Sequence, residues 1–167
     1  MRKLTLLLGL IIGAFWSRAQ SPNLNVGDSF PNFSYQGQFT KNYQLSELKG
    51  SYVLVQYWAS WNVESRAMQL DFIDVYARYR DRKFKKARKF YIISISLDEE
   101  IHTWEIALKK DNLPWKGHAC DGLGWKSPLV SMANLQQIPA NFLIDPNGRI
   151  IAKNIKKDEL EEILKPL

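Results

Sequence analysis

Residues Tyr52 to Leu70 read Y-V-L-V-Q-Y-W-A-S-W-N-V-E-S-R-A-M-Q-L and decide how this chain folds. The first part, Tyr52 to Trp58, is an apolar run rich in β-branched and aromatic residues, which predicts a buried strand. A short link then leads into a helix that we expect to begin at Asn62. A helix N-terminus directs free backbone N–H groups and a partial positive charge at its first residues. The sequence therefore predicts a strand-to-helix junction of the kind that lowers the pKa of a thiol.

The same stretch resembles the active-site segment of exported thioredoxin-fold proteins of the TlpA-like redoxin (AhpC/TSA-type) branch, whose members read W-A-S-W-C-x-x-C-R at this point. In that family the first cysteine attacks disulfides as a thiolate and the second resolves the mixed disulfide. Asn62 and Ser65 stand where the two cysteines would fall. Neither an amide nor an unactivated hydroxyl can replace a sulfur nucleophile. The resemblance therefore implies the family's scaffold without its cysteine pair.

Two interpretations of the replaced positions remain open. Asn62 is among the best N-cap residues, and Glu64 in the first turn interacts favourably with the helix dipole by roughly 0.3–1 kcal/mol. We therefore favour an ordinary helix start whose hydrogen-bonding groups are satisfied locally, and we predict no catalytic residue. The alternative is a Ser65 nucleophile, which needs a general base within hydrogen-bond reach. No histidine lies near Ser65 in the sequence.

The resemblance covers roughly residues 25–167. Its further motifs are I-S-L-D at Ile95 to Asp98, the tryptophans Trp104 and Trp115, G-W-K-S-P-L at Gly124 to Leu129, and I-P-A-N-F-L-I-D-P-N-G at Ile138 to Gly148. The order of the predicted elements, β-α-β-α-β-β-α, fits the same fold. We expect a thioredoxin-like α/β three-layer sandwich, with a mixed central sheet and helices on both faces.

Pro139 matches the family's cis-proline, which lies beside the cysteine pair and exposes backbone that pairs with a bound peptide. The resemblance thus implies a peptide-binding site formed by Trp61, Ile138, Pro139 and Ala140. An alternative is that the proline serves only the turn. Two other positions depart from the pattern of thioredoxin itself. Gln56 stands where thioredoxin keeps a buried acid, and Leu70 stands near the place of a helix-kinking proline.

Periodicity and turn residues predict the remaining elements. On the first long helix, Val63, Ala67, Leu70, Ile73 and Ala77 form one apolar stripe and Met68, Phe72, Val75 and Tyr79 a second, so we expect burial on more than one side. A second helix is expected to be capped by Asp98 and to carry Glu99 and Glu100 in its first turn, Lys109 and Lys110 in its last, and Ile101, Trp104 and Leu108 on its core face. The other predicted elements are a hairpin over Phe33 to Leu45, a helical turn at Ser46 to Gly50, strands at Phe90 to Leu97, Asn141 to Asp145 and Arg149 to Ala152, and helices at Ser127 to Leu135 and Asp158 to Leu167.

The first 19 residues have the pattern of a secretory signal peptide. Arg2 and Lys3 precede an apolar run from Leu4 to Phe15, and a small-x-small cleavage motif ends at Ala19. The apolar run is shorter than the roughly 20 residues that span a bilayer. We therefore expect residues 1–19 to be removed and residues 20–167 to form one thioredoxin-like domain, exported to the periplasm and without a transmembrane segment.

A basic segment dominates the charge of the predicted mature chain. The whole sequence carries +6, of which Arg2, Lys3 and Arg18 belong to the predicted signal peptide. Eight lysines and arginines lie between Arg78 and Lys89, with Asp81 among them. Such a run with aromatic residues interleaved could contact nucleic acid, but export argues against that partner. We favour a solvated face, with an acidic partner or anionic envelope surface as the alternative.

Cys120 is the only cysteine, so no disulfide can form within the chain. A lone thiol is most often a small, partly buried apolar group, and a peroxide-reacting or intermolecular role for Cys120 is the alternative. His118, Cys120 and Asp121 form one short cluster, which is too small a ligand set to predict a metal site. His102 is expected to be solvated. No metal or other cofactor is predicted.

Two functions of different class remain. The first is a redox-inactive module that binds a peptide or protein partner in the envelope at Trp61 and Pro139. The second is a thiol-disulfide oxidoreductase or antioxidant that works through Cys120 or through a partner's thiols. Because thiolate chemistry needs sulfur, we favour the binding module.

Overall fold

A computed structural model describes residues 23–37 and 42–167 of the chain. The predicted signal peptide, residues 1–19, lies outside the described residues. The strands are β1 (Ser34–Gln36), β2 (Asn42–Gln44), β3 (Tyr52–Trp58), β4 (Phe90–Ser96), β5 (Gly117–Ala119), β6 (Ala140–Ile144) and β7 (Ile150–Lys153). The helices are α1 (Val63–Tyr79), α2 (Ile101–Asp111), α3 (Pro128–Ser131) and α4 (Lys157–Leu164), with 3-10 turns at Leu45–Leu48 and Gly124–Lys126.

Five strands form one mixed sheet in the order β5-β4-β3-β6-β7, and β1 pairs with β2 in a separate hairpin. The central strand β3 runs parallel to β4 and antiparallel to β6. All seven residues of β3 are buried, because layers pack on both faces of the sheet. This confirms the strand predicted at Tyr52 to Trp58 and the mixed sheet expected from the element order.

Alternate residues of β3 belong to two different cores. Leu54 packs with residues of α1 and α4, such as Phe72 and Leu160. Val55 packs on the opposite face with the β1–β2 hairpin and the α3 region, which contributes Val130. The molecule is therefore a three-layer sandwich with helices on both faces, as expected. No described helix is long and apolar enough to cross a membrane.

The prediction of two buried stripes on α1 is wrong. Phe72, Val75 and Tyr79 of the second stripe are buried, but Val63 is 82% exposed and Leu70 is 46% exposed. Buried polar residues, among them Gln69, continue the second stripe toward the start of the helix. Because those positions are polar, the sequence pattern did not indicate which face of α1 is buried.

Gln69 belongs to a buried hydrogen-bond network that joins α1 to the sheet. The Gln56 side chain donates to Gln69 Oε1 (3.2 Å) and to Ser94 Oγ (2.7 Å). The Trp115 indole N–H also donates to Ser94 Oγ, at 2.7 Å. The position where thioredoxin keeps an acid thus holds an amide whose donor is satisfied by neutral partners.

The predicted start of α2 is also wrong. Its N-cap is Glu100 and its first residue is Ile101, so Asp98 does not cap it and Glu99 and Glu100 precede the first turn. Ile101 is 41% exposed, whereas Trp104 and Leu108 are buried as expected. Lys109 and Lys110 lie in the last turn, as predicted. The carboxylate of Asp98 is used elsewhere, at the end of the sheet.

Two further elements differ from the sequence prediction. The helix expected over Ser127 to Leu135 is limited to α3, with Ser127 as its N-cap. The edge strand β5 was not predicted, because three residues are too few to show alternation. At Gly117 a β-carbon would lie 2.6 Å from the Ile92 carbonyl oxygen, so the close pairing of β5 with β4 needs glycine there.

Candidate functional site

Asn62 caps α1. Its backbone is extended, and its Oδ1 accepts a hydrogen bond from the Ser65 backbone N–H at 2.7 Å. The helix starts at Val63, one residue after the start expected at Asn62, and Asn62 is its N-cap, as the sequence predicted. The first position of the family's cysteine pair therefore holds an amide that satisfies one of the free donors of the helix start.

Ser65 occupies the second position and is 1% exposed. Its hydroxyl donates to the Asn62 carbonyl oxygen at 3.0 Å and accepts from the Ala59 backbone N–H at 3.3 Å. A serine nucleophile needs a general base and access to substrate. The hydroxyl instead has backbone partners and almost no exposure, so this geometry favours the capped helix start.

Asp98 lies under the link between β3 and α1. Its carboxylate accepts hydrogen bonds from the Ser60 backbone N–H (2.9 Å) and the Ser60 hydroxyl (2.6 Å), and also from the Ser96 hydroxyl. Asp98 is only 2% exposed. The sequence contained a signal for this role, because Asp98 follows β4 and the carboxyl ends of adjacent parallel strands meet at one edge.

An ion pair fixes α1 against α2. Arg66 Nε donates to Asp111 Oδ2 at 2.9 Å, and Nη2 donates to Oδ1 of the same carboxylate. The Asp111 side chain is 6% exposed and that of Arg66 is 27% exposed. A bidentate, largely buried pair of this kind constrains geometry strongly. It therefore holds the first turn of α1 in a fixed place relative to the end of α2.

The predicted peptide-binding residues lie at the same end of the sheet as Asn62. Ala140 begins β6 and pairs with Tyr57, close to the end of β3, and the Ile138–Pro139 bond is cis. Ile138 and Pro139 are half-buried, whereas Trp61 is 58% exposed. The sheet register thus brings the Ile138 segment and the β3–α1 link to one edge.

Cys120 lies at the same end of the sheet, on the β4–β5 side of the central strand β3. It follows β5, and its thiol donates to the backbone oxygen of Asp98 at 3.4 Å. It lines a cavity of about 630 Å³ together with Tyr35, Trp104 and other residues. Burial raises the pKa of the Cys120 thiol, which lowers the thiolate fraction on which reactivity depends.

His118 is buried against Trp115. The imidazole is 3% exposed and its ring centroid lies 5.8 Å from that of Trp115. Burial lowers the pKa of His118 to about 4, so the ring is neutral at pH 7. The Asp121 carboxylate accepts from the Ser127 hydroxyl at 2.6 Å. Within residues 23–37 and 42–167, no group of three potential metal ligands occurs.

Several residues of the basic segment serve the fold. Arg78 pairs with Glu161 of α4 at 2.9 Å, and Arg82 donates to the carbonyl oxygens of Leu164 and Lys165. These contacts attach the end of α1 to the end of α4. They favour a structural, solvated face, and binding of an acidic partner or anionic surface stays a prediction.

A model of the thioredoxin-like family matches residues 50–150 of the chain. The chain is 23% identical over 145 residues to a thiol-disulfide oxidoreductase ResA of Bacillus cereus, a match that covers 87% of this chain and 78% of the relative. It is also 25% identical over 125 residues to nucleoredoxin of Xenopus laevis, covering 74% of this chain and 28% of that protein.

Solved structures agree with this assignment. A thiol-disulfide oxidoreductase from Bacteroides fragilis superposes with a TM-score of 0.72 at 30% identity, over 83% of this chain and 98% of that one. The thioredoxin domain of a thiol-disulfide oxidoreductase from Bacteroides vulgatus gives 0.74 at 21% identity, over 85% and 99% of the two chains. The chain therefore belongs to the thioredoxin-like family, in its TlpA-like redoxin branch, with asparagine and serine in place of the active-site cysteine pair.

Proposed function

We propose that this protein is a redox-inactive binding module that is exported to the periplasm. In this proposal Trp61 and the segment Ile138 to Ala140 hold an extended segment of a partner protein, and no electrons are transferred. The protein would retain the family's peptide-binding edge and lack its disulfide exchange. The relatives named as thiol-disulfide oxidoreductases support the fold, and their activity is not assigned to this chain.

The observation that carries the proposal is the mutual satisfaction of Asn62 and Ser65. The amide oxygen of Asn62 accepts from the Ser65 backbone N–H, and among the described residues the Ser65 hydroxyl bonds only to backbone atoms. Disulfide exchange needs a thiolate at such a helix start. Both side chains form hydrogen bonds within the turn. This arrangement favours a rigid binding surface over a catalytic site.

Backbone availability at Ile138 supports peptide binding. The N–H and C=O groups of Ile138 make no hydrogen bond to another described residue. Backbone groups without a partner in the protein need water or a ligand to satisfy them. An extended peptide that pairs with this segment would satisfy them, as added strands do at open sheet edges. The exposed indole of Trp61 offers apolar contact at the same edge.

The competing function is thiol chemistry through Cys120, and one observation favours it. The thiol lies at the same end of the sheet as the family's active site, next to the backbone of Asp98. Its raised pKa and partial burial count against it. A raised pKa leaves little thiolate at neutral pH, so we rank this function second.

Insulin-disulfide reduction with dithiothreitol separates the two functions. We expect the purified residues 20–167 to give the same rate as buffer, and the Cys120→Ser variant to give that rate too. Thioredoxin is the positive control. A rate near that of thioredoxin would refute the binding module, and its loss in Cys120→Ser would assign the activity to the thiol.

Peptide selection tests the binding function directly. Random eight-residue peptides displayed on phage are panned against residues 20–167, and the enriched peptides are measured by calorimetry. We expect Ile138→Glu to lower the affinity of these peptides at least tenfold, because a charge replaces a half-buried apolar contact. Ile106→Glu, at a 51% exposed position on α2, is the matched control and should bind normally. Equal weakening in both variants would count against the proposed edge.

Export is tested by the N-terminus of the secreted chain. Expression of the full sequence in a bacterium that has a periplasm should give a periplasmic protein whose mass corresponds to residues 20–167. Retention of residues 1–19 in a cytoplasmic protein would contradict this part of the proposal.

A further inference from the structure

A surface pocket next to the proposed peptide edge combines two indoles with three carboxylates. It has a volume of about 380 Å³ and is lined by Trp61, Leu97, Asp98, Glu99, Glu100, Thr103 and Trp125. Trp61 is 58% exposed and Trp125 is 44% exposed. Large exposed indoles are uncommon at surfaces that face only solvent. Two of them in one pocket, with acidic residues between, indicate a place for a ligand.

The carboxylates of this pocket have no cationic partner within the described part of the chain. None of the ion pairs between described residues involves Asp98, Glu99 or Glu100. Asp98 is held by neutral donors, the Ser60 and Ser96 groups, so its negative charge is oriented but not cancelled. No ion pair with a described lysine or arginine therefore neutralises the carboxylates of this pocket.

The start of α2 opposes this charge only in part. Glu100 is the N-cap of α2, and a helix N-terminus contributes roughly half a positive charge. Three carboxylates against that half charge leave a net of roughly −2.5. Charge complementarity thus selects a cationic occupant and excludes an acidic one.

Gly124 explains how Glu99 and Trp125 can share the pocket. Its φ is +56°, and a β-carbon there would lie 2.8 Å from Glu99 Oε1. Only glycine adopts this backbone conformation easily while leaving room for the Glu99 carboxylate. The loop therefore passes close to Glu99 and presents the next residue, Trp125, to the same pocket.

We propose that this pocket binds one arginine or lysine side chain of a partner protein segment, with the cation against the indoles of Trp61 and Trp125 and close to Glu99 and Glu100. This inference rests on the proposed function, because the segment that crosses Trp61 and Ile138 is the one that would deliver the side chain. Indole faces attract cations, and the attraction grows when a carboxylate and partial burial add to it. The protein would thus read a basic residue in its partner, in addition to an extended backbone.

Three matched peptides test the charge preference. The probe is acetyl-G-S-V-R-V-S-G-amide, and its counterparts carry citrulline or glutamate in place of the arginine. Citrulline keeps the shape of arginine but is neutral. By calorimetry with residues 20–167, we expect the arginine peptide to bind about tenfold more tightly than the citrulline peptide. In NMR spectra, we expect it to shift the indole N–H signals of Trp61 and Trp125 among the five tryptophans of residues 20–167.

Conservative variants locate the preference. Glu99→Gln with Glu100→Gln should reduce the ratio of arginine to citrulline affinity to about twofold, since only the indoles and the buried carboxylate of Asp98 remain. Trp125→Leu should also lower the ratio and leave the citrulline peptide almost unaffected. The control is Leu123→Ala, a 47% exposed residue of the same loop that does not line the pocket, and it should keep the full ratio. Circular dichroism checks that each variant is folded.

Distinct outcomes separate failure of this inference from failure of the proposed function. Equal binding of the arginine and citrulline peptides, both weakened by Ile138→Glu, would overturn the cation pocket and leave the binding module standing. An unchanged ratio in the double glutamine variant would also overturn it. If no peptide binds at millimolar concentration, both proposals fall. Salt-sensitive self-association in place of peptide binding would overturn the partner segment as occupant and assign the pocket to the basic segment of a second copy.

Discussion

A thiol redox site needs a sulfur atom and a positive electrostatic environment in the same place. In this protein the start of α1 has the electrostatic environment, and the end of β5 has the sulfur. The helix start offers the free N–H groups and positive dipole that stabilise a thiolate, but it carries Asn62 and Ser65. The end of β5 carries the chain's one thiol, Cys120, and burial there raises its pKa. The two regions are linked through Asp98, which holds Ser60 by its carboxylate and meets Cys120 by its backbone oxygen. The comparison indicates that disulfide exchange needs the thiol and the positive helix N-terminus at the same position.

The largest change should come from restoring sulfur at the helix start. In residues 20–167 with Asn62→Cys, Ser65→Cys and Cys120→Ser, we expect a disulfide that dithiothreitol reduces, and insulin reduction well above the buffer rate. The scaffold still supplies the helix dipole and the neighbouring Pro139. The measurement is a redox titration followed by mass spectrometry of the alkylated protein. A folded variant that never cross-links would show that the local geometry has changed as well.

A second, smaller effect compares single thiols in the two regions. Asn62→Cys in a Cys120→Ser background should react with iodoacetamide about 100-fold faster at pH 7 than Cys120 in the unmodified chain. The reason is that a helix N-terminus lowers a thiol pKa whereas burial raises it. Alkylation rates from pH 5 to pH 10 give both pKa values. Similar pKa values for the two thiols would contradict the expected difference between the two regions.

The burial of His118 in β5 should also appear in the pH dependence of stability. Burial lowers the pKa of His118 to about 4 in the folded protein, against about 6.5 when unfolded. Because the unfolded chain binds the proton first, this contribution to stability is complete above pH 6.5 and is lost as the pH falls toward 4. The loss between pH 7 and pH 5 should be about 2 kcal/mol.

The control for this effect is His118→Leu, which has no proton to bind. We expect its free energy of unfolding in urea to vary less between pH 7 and pH 5 than that of the unmodified chain. If the two proteins showed the same pH profile, His118 would not be the group that titrates.

The smallest effect concerns the residue that links the two regions. Asp98→Asn keeps the shape of the side chain and removes its charge, which lies close enough to Cys120 to raise the thiol pKa. We therefore expect the alkylation rate of Cys120 at pH 7 to increase a few-fold at most, since burial is the larger cause. The comparison is Asp121→Asn, which removes a charge that raises the same pKa by less. A decrease in rate would contradict the assigned sign.

Most of the scaffold was predictable because its signals are local. The strand from Tyr52 to Trp58 reads as a buried apolar run, and Asn62 reads as a cap. The role of Asp98 was mistaken for a local cap because its partner Ser60, 38 positions away, becomes a neighbour only through the sheet. The pocket at Trp61 and Trp125 combines residues 64 positions apart, and no sequence period brings such residues together.

Asn62 has one further consequence for the behaviour of the protein in its surroundings. The amide gives the Ser65 N–H an internal acceptor, and an amide neither gains nor loses electrons under conditions that convert dithiols to disulfides. In the proposed binding module, the shape of this helix start would therefore not depend on the ambient reduction potential. A partner held there would stay held through oxidative and reductive stress alike.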